Sequence, residues 1–161
     1  MTAYDAAIIV LSDRAAAGTR PDECIPVVEA MLGERFRIAR TLVIADEPAA
    51  LQAELIDLCD ARRVAVVFTS GGTGLGPRDR TPQATAAVLD YEVRGIPEAM
   101  RAASAASVPT AMLSRAVAGV RGSTLIVNLP GSPKAVRESL GVVLPALGHA
   151  LDLLAGERPD G

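Results

Sequence analysis

Three glycines and three hydroxyl side chains fall within six positions at Thr69-Ser70-Gly71-Gly72-Thr73-Gly74, and Pro77-Arg78-Asp79 follows soon after. Glycine lets a backbone turn sharply and approach a ligand closely. Consecutive N–H groups in such a turn bind anions, and a carboxylate a few residues on can hold a divalent cation against the same anions. The loop has the residue types of a site for a phosphorylated ligand. Its spacing fits neither common phosphate motif. Gly76 is followed by Pro77-Arg78, not by the Lys-Ser or Lys-Thr of a P-loop, and Gly72, Gly74 and Gly76 run G-x-G-x-G, not G-x-G-x-x-G. A plain strand-to-helix turn would use the same glycines.

A second segment, Asn128-Leu129-Pro130-Gly131-Ser132-Pro133-Lys134, joins an apolar run to a helix start. Free N–H groups and the helix dipole attract an anion there. Lys134, the only lysine of the chain, falls in the first helical turn, where a bound phosphate would offset its unfavourable interaction with the dipole. A solvated lysine beside a routine turn is the other reading. Asp46 and Asp79 are the carboxylates best placed to hold a hard cation, since magnesium pairs oxygen ligands with substrate phosphates. Asp46 also sits where a helix cap belongs, ahead of Glu47-Pro48, and Asp79 lies just before the Thr81-Pro82 helix start. Asp13 has the same double reading, and Ser114-Arg115 is either an anion contact or a solvated loop. His149, the only histidine, has no Ser or Cys partner in view, which disfavours hydrolase triads and His-ligated zinc.

These loops need a scaffold. Short apolar runs at Ala6–Leu11, Arg37–Ile44, Val64–Phe68 and Thr124–Leu129 read as strands. Helical spacing marks 21–32, a helix from Asp46 with Leu51, Leu55, Leu58 and Cys59 on one face, Thr81 to about Asp90, and Pro97 to Ala106. Met112 to Val120 reads as an irregular extended pair. A last helix from Ser132-Pro133 to Leu154 should kink or split at Pro145. Strands alternating with amphipathic helices give an α/β sheet covered on both faces, and such sheets bind ligands beyond the carboxyl ends of their strands.

The 161-residue length suits one domain, taken as 1–156 with a short flexible tail at 157–161. Half the residues are apolar, but only two Phe, two Tyr and no Trp are present, a poor base-stacking set. The net charge of −3 gives no electrostatic reason to expect nucleic acid or an anionic membrane as partner. Cys24 and Cys59 match no metal or redox spacing and read as buried thiols of a soluble, cytoplasmic protein.

Taken together, Ser12-Asp13-Arg14, Ile44-Ala45-Asp46-Glu47, TSGGTGLGPRDRTPQAT from Thr69, Leu113-Ser114-Arg115, TLIVNLPGSPKAV from Thr124 and VLPALGHALDLL from Val143 resemble the molybdopterin adenylyltransferase family, which includes the bacterial Mog proteins and gephyrin's N-terminal domain. The resemblance implies a three-layer αβα sandwich with a mostly parallel central sheet, of the MoaB/Mog kind, assembled as a homotrimer. It implies transfer of AMP from Mg-ATP to molybdopterin, with pyrophosphate released, ahead of molybdenum insertion, for which a partner protein is admitted. The family's two essential aspartates match Asp46 and Asp79, the expected Mg²⁺ ligands. Molybdopterin and nucleotide contacts are then expected at Ser12, Asp13, Ser70, Gly71, Gly72, Thr73, Gly74, Thr81, Ser114, Asn128, Pro130, Gly131, Ser132 and Lys134. Gln83, where relatives often carry an acid, departs from the pattern. A non-catalytic molybdopterin carrier or scaffold of the same fold is the alternative.

Overall fold

The structure is a computed structural model that describes residues 3–157. Most of the tail expected at 157–161 lies outside the described residues. Six strands form one sheet: β1 (Tyr4–Leu11), β2 (Phe36–Ile44), β3 (Val66–Ser70), β4 (Tyr91–Glu92), β5 (Ala118–Arg121) and β6 (Thr124–Leu129), in the order β2-β1-β3-β6-β5-β4. The first four in that order are parallel, while β5 and β4 run antiparallel at one edge.

The apolar runs are long in Ala, Val, Ile and Leu because both sheet faces are covered. Alternate residues of β1 go to opposite layers. Ala6, Ile8 and Val10 meet helices α2 (Cys24–Leu32), α5 (Gly95–Ala105) and α6 (Pro133–Leu154), together with Val28, Met100, Leu140 and Leu147. Ala7, Ile9 and Leu11 meet α3 (Pro48–Ile56) and α4 (Thr81–Ala86), with Leu51, Leu55 and Ala84. The three-layer sandwich follows. A short helix, α1 (Asp13–Ala16), caps the end of β1. Leu51, Leu55 and Leu58 recur at helical spacing and are fully buried, each contributing about 1.5–3 kcal/mol of hydrophobic stabilisation.

Several boundaries differ from expectation. Strand β3 starts two residues later and runs on through Thr69 and Ser70, because those hydroxyl residues pair with β1 and β6 and their side chains find partners inside the fold. Helix α4 stops at Ala86, since the chain must turn for Asp90 N–H to reach the Val120 carbonyl at 2.8 Å and for β4 to join the edge. The stretch 112–120 holds a 3-10 turn (Pro109–Leu113) and then β5, in place of an extended pair. Helix α6 is not split at Pro145. Pro145 and Gly141, whose carbonyl loses its partner, both lie on the exposed face, where water can take the bond.

Candidate active site

Strands β1, β2 and β3 deliver three acidic loops to one edge of the sheet. Beyond β2, Pro48 opens α3 with Glu47 at the cap position and no side-chain capping bond, so Asp46 is not spent as a cap. Its carboxylate instead meets the β1 loop. Asp13 N–H donates to Asp46 Oδ2 at 3.2 Å, and Asp46 N–H donates to Asp13 Oδ1 at 2.9 Å. Arg78 closes this pair from outside, giving Nε and Nη2 to Asp13 at 3.0 and 2.9 Å and Nη2 to Glu47 at 3.0 Å. The Arg78 guanidinium, helped by the Asp46 N–H, holds the Asp13 carboxyl below the ordinary carboxylate range. Asp46 moves the other way. Burial raises it, and the charges of Asp13 and Asp79 raise it further, against the pull of the Asp13 N–H and Arg78.

The glycine loop is shaped around the acids. Gly71 has φ +101°, and a Cβ there would fall 2.4 Å from the Leu11 carbonyl oxygen. Gly72 has φ +69°, and a Cβ there would lie 3.2 Å from Asp46 Oδ1. Further on, Asp79 folds back: its Oδ2 accepts from Gly76 N–H at 2.9 Å and its N–H donates to the Gly76 carbonyl at 3.0 Å. Arg115 clamps the loop from the far side. Its N–H reaches the Thr73 carbonyl at 2.9 Å, Nε the Gly74 carbonyl at 2.8 Å, and Nη2 the Asp79 carbonyl. Arg115 is therefore committed to holding the loop. The N–H groups of Gly71 and Gly76 are already used, whereas those of Gly72, Thr73 and Gly74 have no acceptor among the described residues.

The second loop packs directly on the first. Gly71 N–H donates to the Leu129 carbonyl at 3.2 Å, Ser70 Oγ donates to the Pro130 carbonyl at 2.8 Å, and a Cβ on Gly131 would sit 3.4 Å from Gly71 Cα. Ser132 caps α6, accepting from Ala135 N–H at 3.2 Å. This seam separates two cavities. One, of about 350 Å³, is lined by Ser12, Asp13, Asp46, Ser70, Gly71, Gly72, Asp79 and Gly131, with Arg14 and Arg20 at its wall. The other, of about 360 Å³, has mainly apolar walls from α5 and the 108–113 turn, with Gly74 and Pro130 on its rim; polar side chains also reach it, from Thr73, Arg101 and Ser114 and, on α6 and its cap, Ser132, Glu138 and Ser139.

Eleven of the fourteen residues expected to bind ligand thus line one cavity or the other, as do Asp46 and Asp79. Three do not. Asn128 is fully buried. Its Nδ2 donates to Thr69 Oγ1 at 2.8 Å and Thr85 Oγ1 at 3.1 Å, and its Oδ1 accepts from Val117 N–H at 3.2 Å, so the amide is a strut of the sheet. Lys134 points outward, 80% exposed, with Glu138 its nearest acid at 3.9 Å. Thr81 is buried beneath the loop and, being the first residue of α4, does not cap it. Sequence reasoning missed Glu47, Arg78 and Arg101. Arg78 stands beside Asp79 in the motif, but nothing in the spacing says that it reaches back to Asp13. His149 lies exposed on α6, away from both cavities.

A mostly parallel sheet with glycine-rich and acidic loops at its carboxyl edge places the chain among the α/β domains that bind ligands beyond their strand ends. The chain belongs to the molybdopterin-binding family MoCF_biosynth, described as "Probable molybdopterin binding domain", which matches residues 7–149. The molybdopterin adenylyltransferase of Helicobacter pylori strain J99 is 40% identical over 152 residues, spanning 92% of this chain and 86% of the relative. That of Escherichia coli K12 is 42% identical over 147 residues, with 89% and 75% covered. The solved molybdopterin biosynthesis enzyme MoaB of Thermus thermophilus superposes with a TM-score of 0.91 at 45% identity, covering 96% of this chain and 98% of its own.

Proposed function

We propose that the chain is a molybdopterin adenylyltransferase. It transfers AMP from ATP to the terminal phosphate of molybdopterin in the synthesis of the molybdenum cofactor. The observation that carries this reading is the pair of cavities on either side of one glycine turn, one acid-lined by Asp46 and Asp79 and one mainly apolar. The acid-lined cavity suits the ATP polyphosphate with its metal, and the apolar one suits the pterin, whose phosphate would meet the unused N–H groups of Gly72 to Gly74 at the seam. A terminal phosphate oxygen attacks the α-phosphorus of ATP, the bond from that phosphorus to the bridging oxygen of the β-phosphate breaks, and pyrophosphate leaves. The nucleophile is already anionic at neutral pH, so no strong base is required, in keeping with a site that holds no histidine.

Mg²⁺ fits the donor set. Asp46 and Asp79 face one cavity, and the Asp79 charge adds to the cost of ionising Asp46, which a cation relieves. Among the described residues no group of three His, Cys, Asp or Glu side chains could hold a metal ion by itself, so waters and substrate phosphates would have to supply its other ligands. Bound there, Mg²⁺ would neutralise charge on the departing pyrophosphate. The protein's share is to hold the two phosphates in line and to keep Asp46 in place through Asp13. The family likeness further supports a homotrimer in the cytoplasm, passing its product to a molybdenum-insertion partner. Sedimentation of the pure chain reads the trimer.

The deciding experiment measures pyrophosphate release from molybdopterin and Mg-ATP. Asp46→Asn and Asp79→Asn should each lower the rate by about a hundredfold or more while molybdopterin still binds. Binding without pyrophosphate in the wild type would make the chain a carrier of the same fold.

A further inference from the structure

Thr81 Oγ1 is the one buried side-chain nitrogen or oxygen that finds no hydrogen-bond partner among the described residues. The residue is 2% exposed. Buried polar groups are nearly always paired in folded proteins, so a threonine here, where valine would fill the same space, needs an acceptor that the resting fold does not supply. Helix capping is not the explanation, because Arg80 holds the cap position of α4 and Thr81 is already helical.

Where the acceptor lies is given by Gly72. A Cβ on that glycine would sit 2.2 Å from Thr81 Oγ1 and 3.2 Å from Asp46 Oδ1, so the two oxygens crowd the same side of one residue. Asp46 uses its other oxygen, Oδ2, to accept from Asp13 N–H. Oδ1 accepts nothing among the described hydrogen bonds. Meanwhile Thr81 N–H donates to the Gly72 carbonyl at 3.2 Å, which pins the start of α4 to the turn. A donor without an acceptor and an acceptor without a donor therefore meet over the glycine that has no side chain to separate them.

We infer that Thr81 is a positioning residue whose hydroxyl donates to Asp46 Oδ1 in the ligand-bound site and fixes the plane of that carboxylate. In that bond the two oxygens would stand at an ordinary O–H···O⁻ separation of about 2.5–2.7 Å. The hydroxyl touches no substrate and acts only through Asp46. The inference rests on the reading that Asp46 works on the polyphosphate.

The test compares Thr81→Val, which keeps the shape and removes the donor, with Thr81→Ser, which keeps the donor and removes a buried methyl. Thr81→Val should hold or raise Tm, keep KM for ATP within about threefold, and lower kcat of pyrophosphate release by about 10- to 100-fold, the loss typical of a misplaced reactive group. Thr81→Ser should lower Tm yet keep kcat within about threefold. This opposite ranking of stability and turnover is what a merely structural threonine would not give. A Thr81→Val enzyme with wild-type kcat, or a Thr81→Ser enzyme that is the slower of the two, overturns the inference. A crystal structure of the wild type with Mg²⁺ and a non-hydrolysable ATP analogue supplies the second readout. An Oγ1–Oδ1 separation beyond about 3.5 Å overturns the inference whether or not either variant folds. If Asp46→Asn proves fully active, the proposed role of Asp46 fails, while the separation in the crystal still decides the hydrogen bond.

Discussion

Asp13 and Asp46 are the same residue type in mutual contact, yet their surroundings drive their acidities apart. Arg78 sits on Asp13 and lowers its pKa, while burial and two neighbouring acids raise that of Asp46. The consequences for stability have opposite signs. Asp13 contributes stability that is present above the ordinary carboxylate value of 3.8 and is lost as pH falls through its lower folded value. Asp46 contributes stability that is full below 3.8 and is lost as pH rises through its higher folded value. Asp46→Asn should therefore be at least as stable as the wild type near neutral pH, with its advantage fading in acid. Asp13→Asn should be the less stable near neutral pH, with its deficit fading in acid. Denaturant titrations from about pH 7 to about pH 3 check both, and parallel curves for the two variants would contradict the assignment. The place of Asp46 and Asp79 beside the glycine turn was legible in the sequence because each follows a strand within a distinctive run. The roles of Arg78 and Arg115 were not, because a guanidinium that closes on Asp13 or on the Gly74 carbonyl leaves no local pattern.

The glycine turn and the strand ends beneath it act as one unit, held by Asn128. Its amide ties β6 to β3 through Thr69, to α4 through Thr85, and to the chain entering β5 through Val117. Asn128→Leu leaves one N–H and two hydroxyls without this partner in a dry interior, and should cost about 2–4 kcal/mol. For a domain of this size that lowers Tm by roughly 5–15 °C, with molybdopterin affinity unchanged in the fraction still folded. An affinity loss without a stability loss would return Asn128 to the binding site where the sequence had placed it. Gly71→Ala attacks the same unit from the turn, pushing a methyl to 2.4 Å from the Leu11 carbonyl at a φ of +101°. It should lower Tm and abolish pyrophosphate release together. The long elements β1, β2, α3 and α6 were legible because they carry many turns or pairs of one period. Strands β4 and β5 were not, because they hold two and four residues whose place is set by pairing, β5 on β6 and β4 on β5, rather than by their own composition.

At the scale of the molecule, the sheet order brings the ends of β1, β2, β3 and β6 to one edge, where Asp46 and Asp79 lie on one side of a seam with Gly72, and Thr73 and Gly74 lie on the other. The domain is acidic overall, with a net charge of −3, and an ATP polyphosphate would be repelled from the Asp46–Asp79 side unless a cation came with it. Ligand and metal should therefore bind together or weakly. Anything that binds only the folded state raises its stability by mass action, about 2.7 kcal/mol at a hundred times its dissociation constant. For a domain of this size that is a rise in Tm of roughly 5–11 °C. Mg²⁺ with ATP should give a shift of this order in thermal melts, whereas ATP with a chelator should give little. Asp79→Asn should reduce the Mg²⁺-dependent part of the shift while leaving the shift caused by molybdopterin, which the proposed arrangement seats in the apolar cavity. If ATP alone stabilised the protein as well as Mg-ATP does, the acids would not be holding a cation, and the division of labour between the two cavities would have to be redrawn.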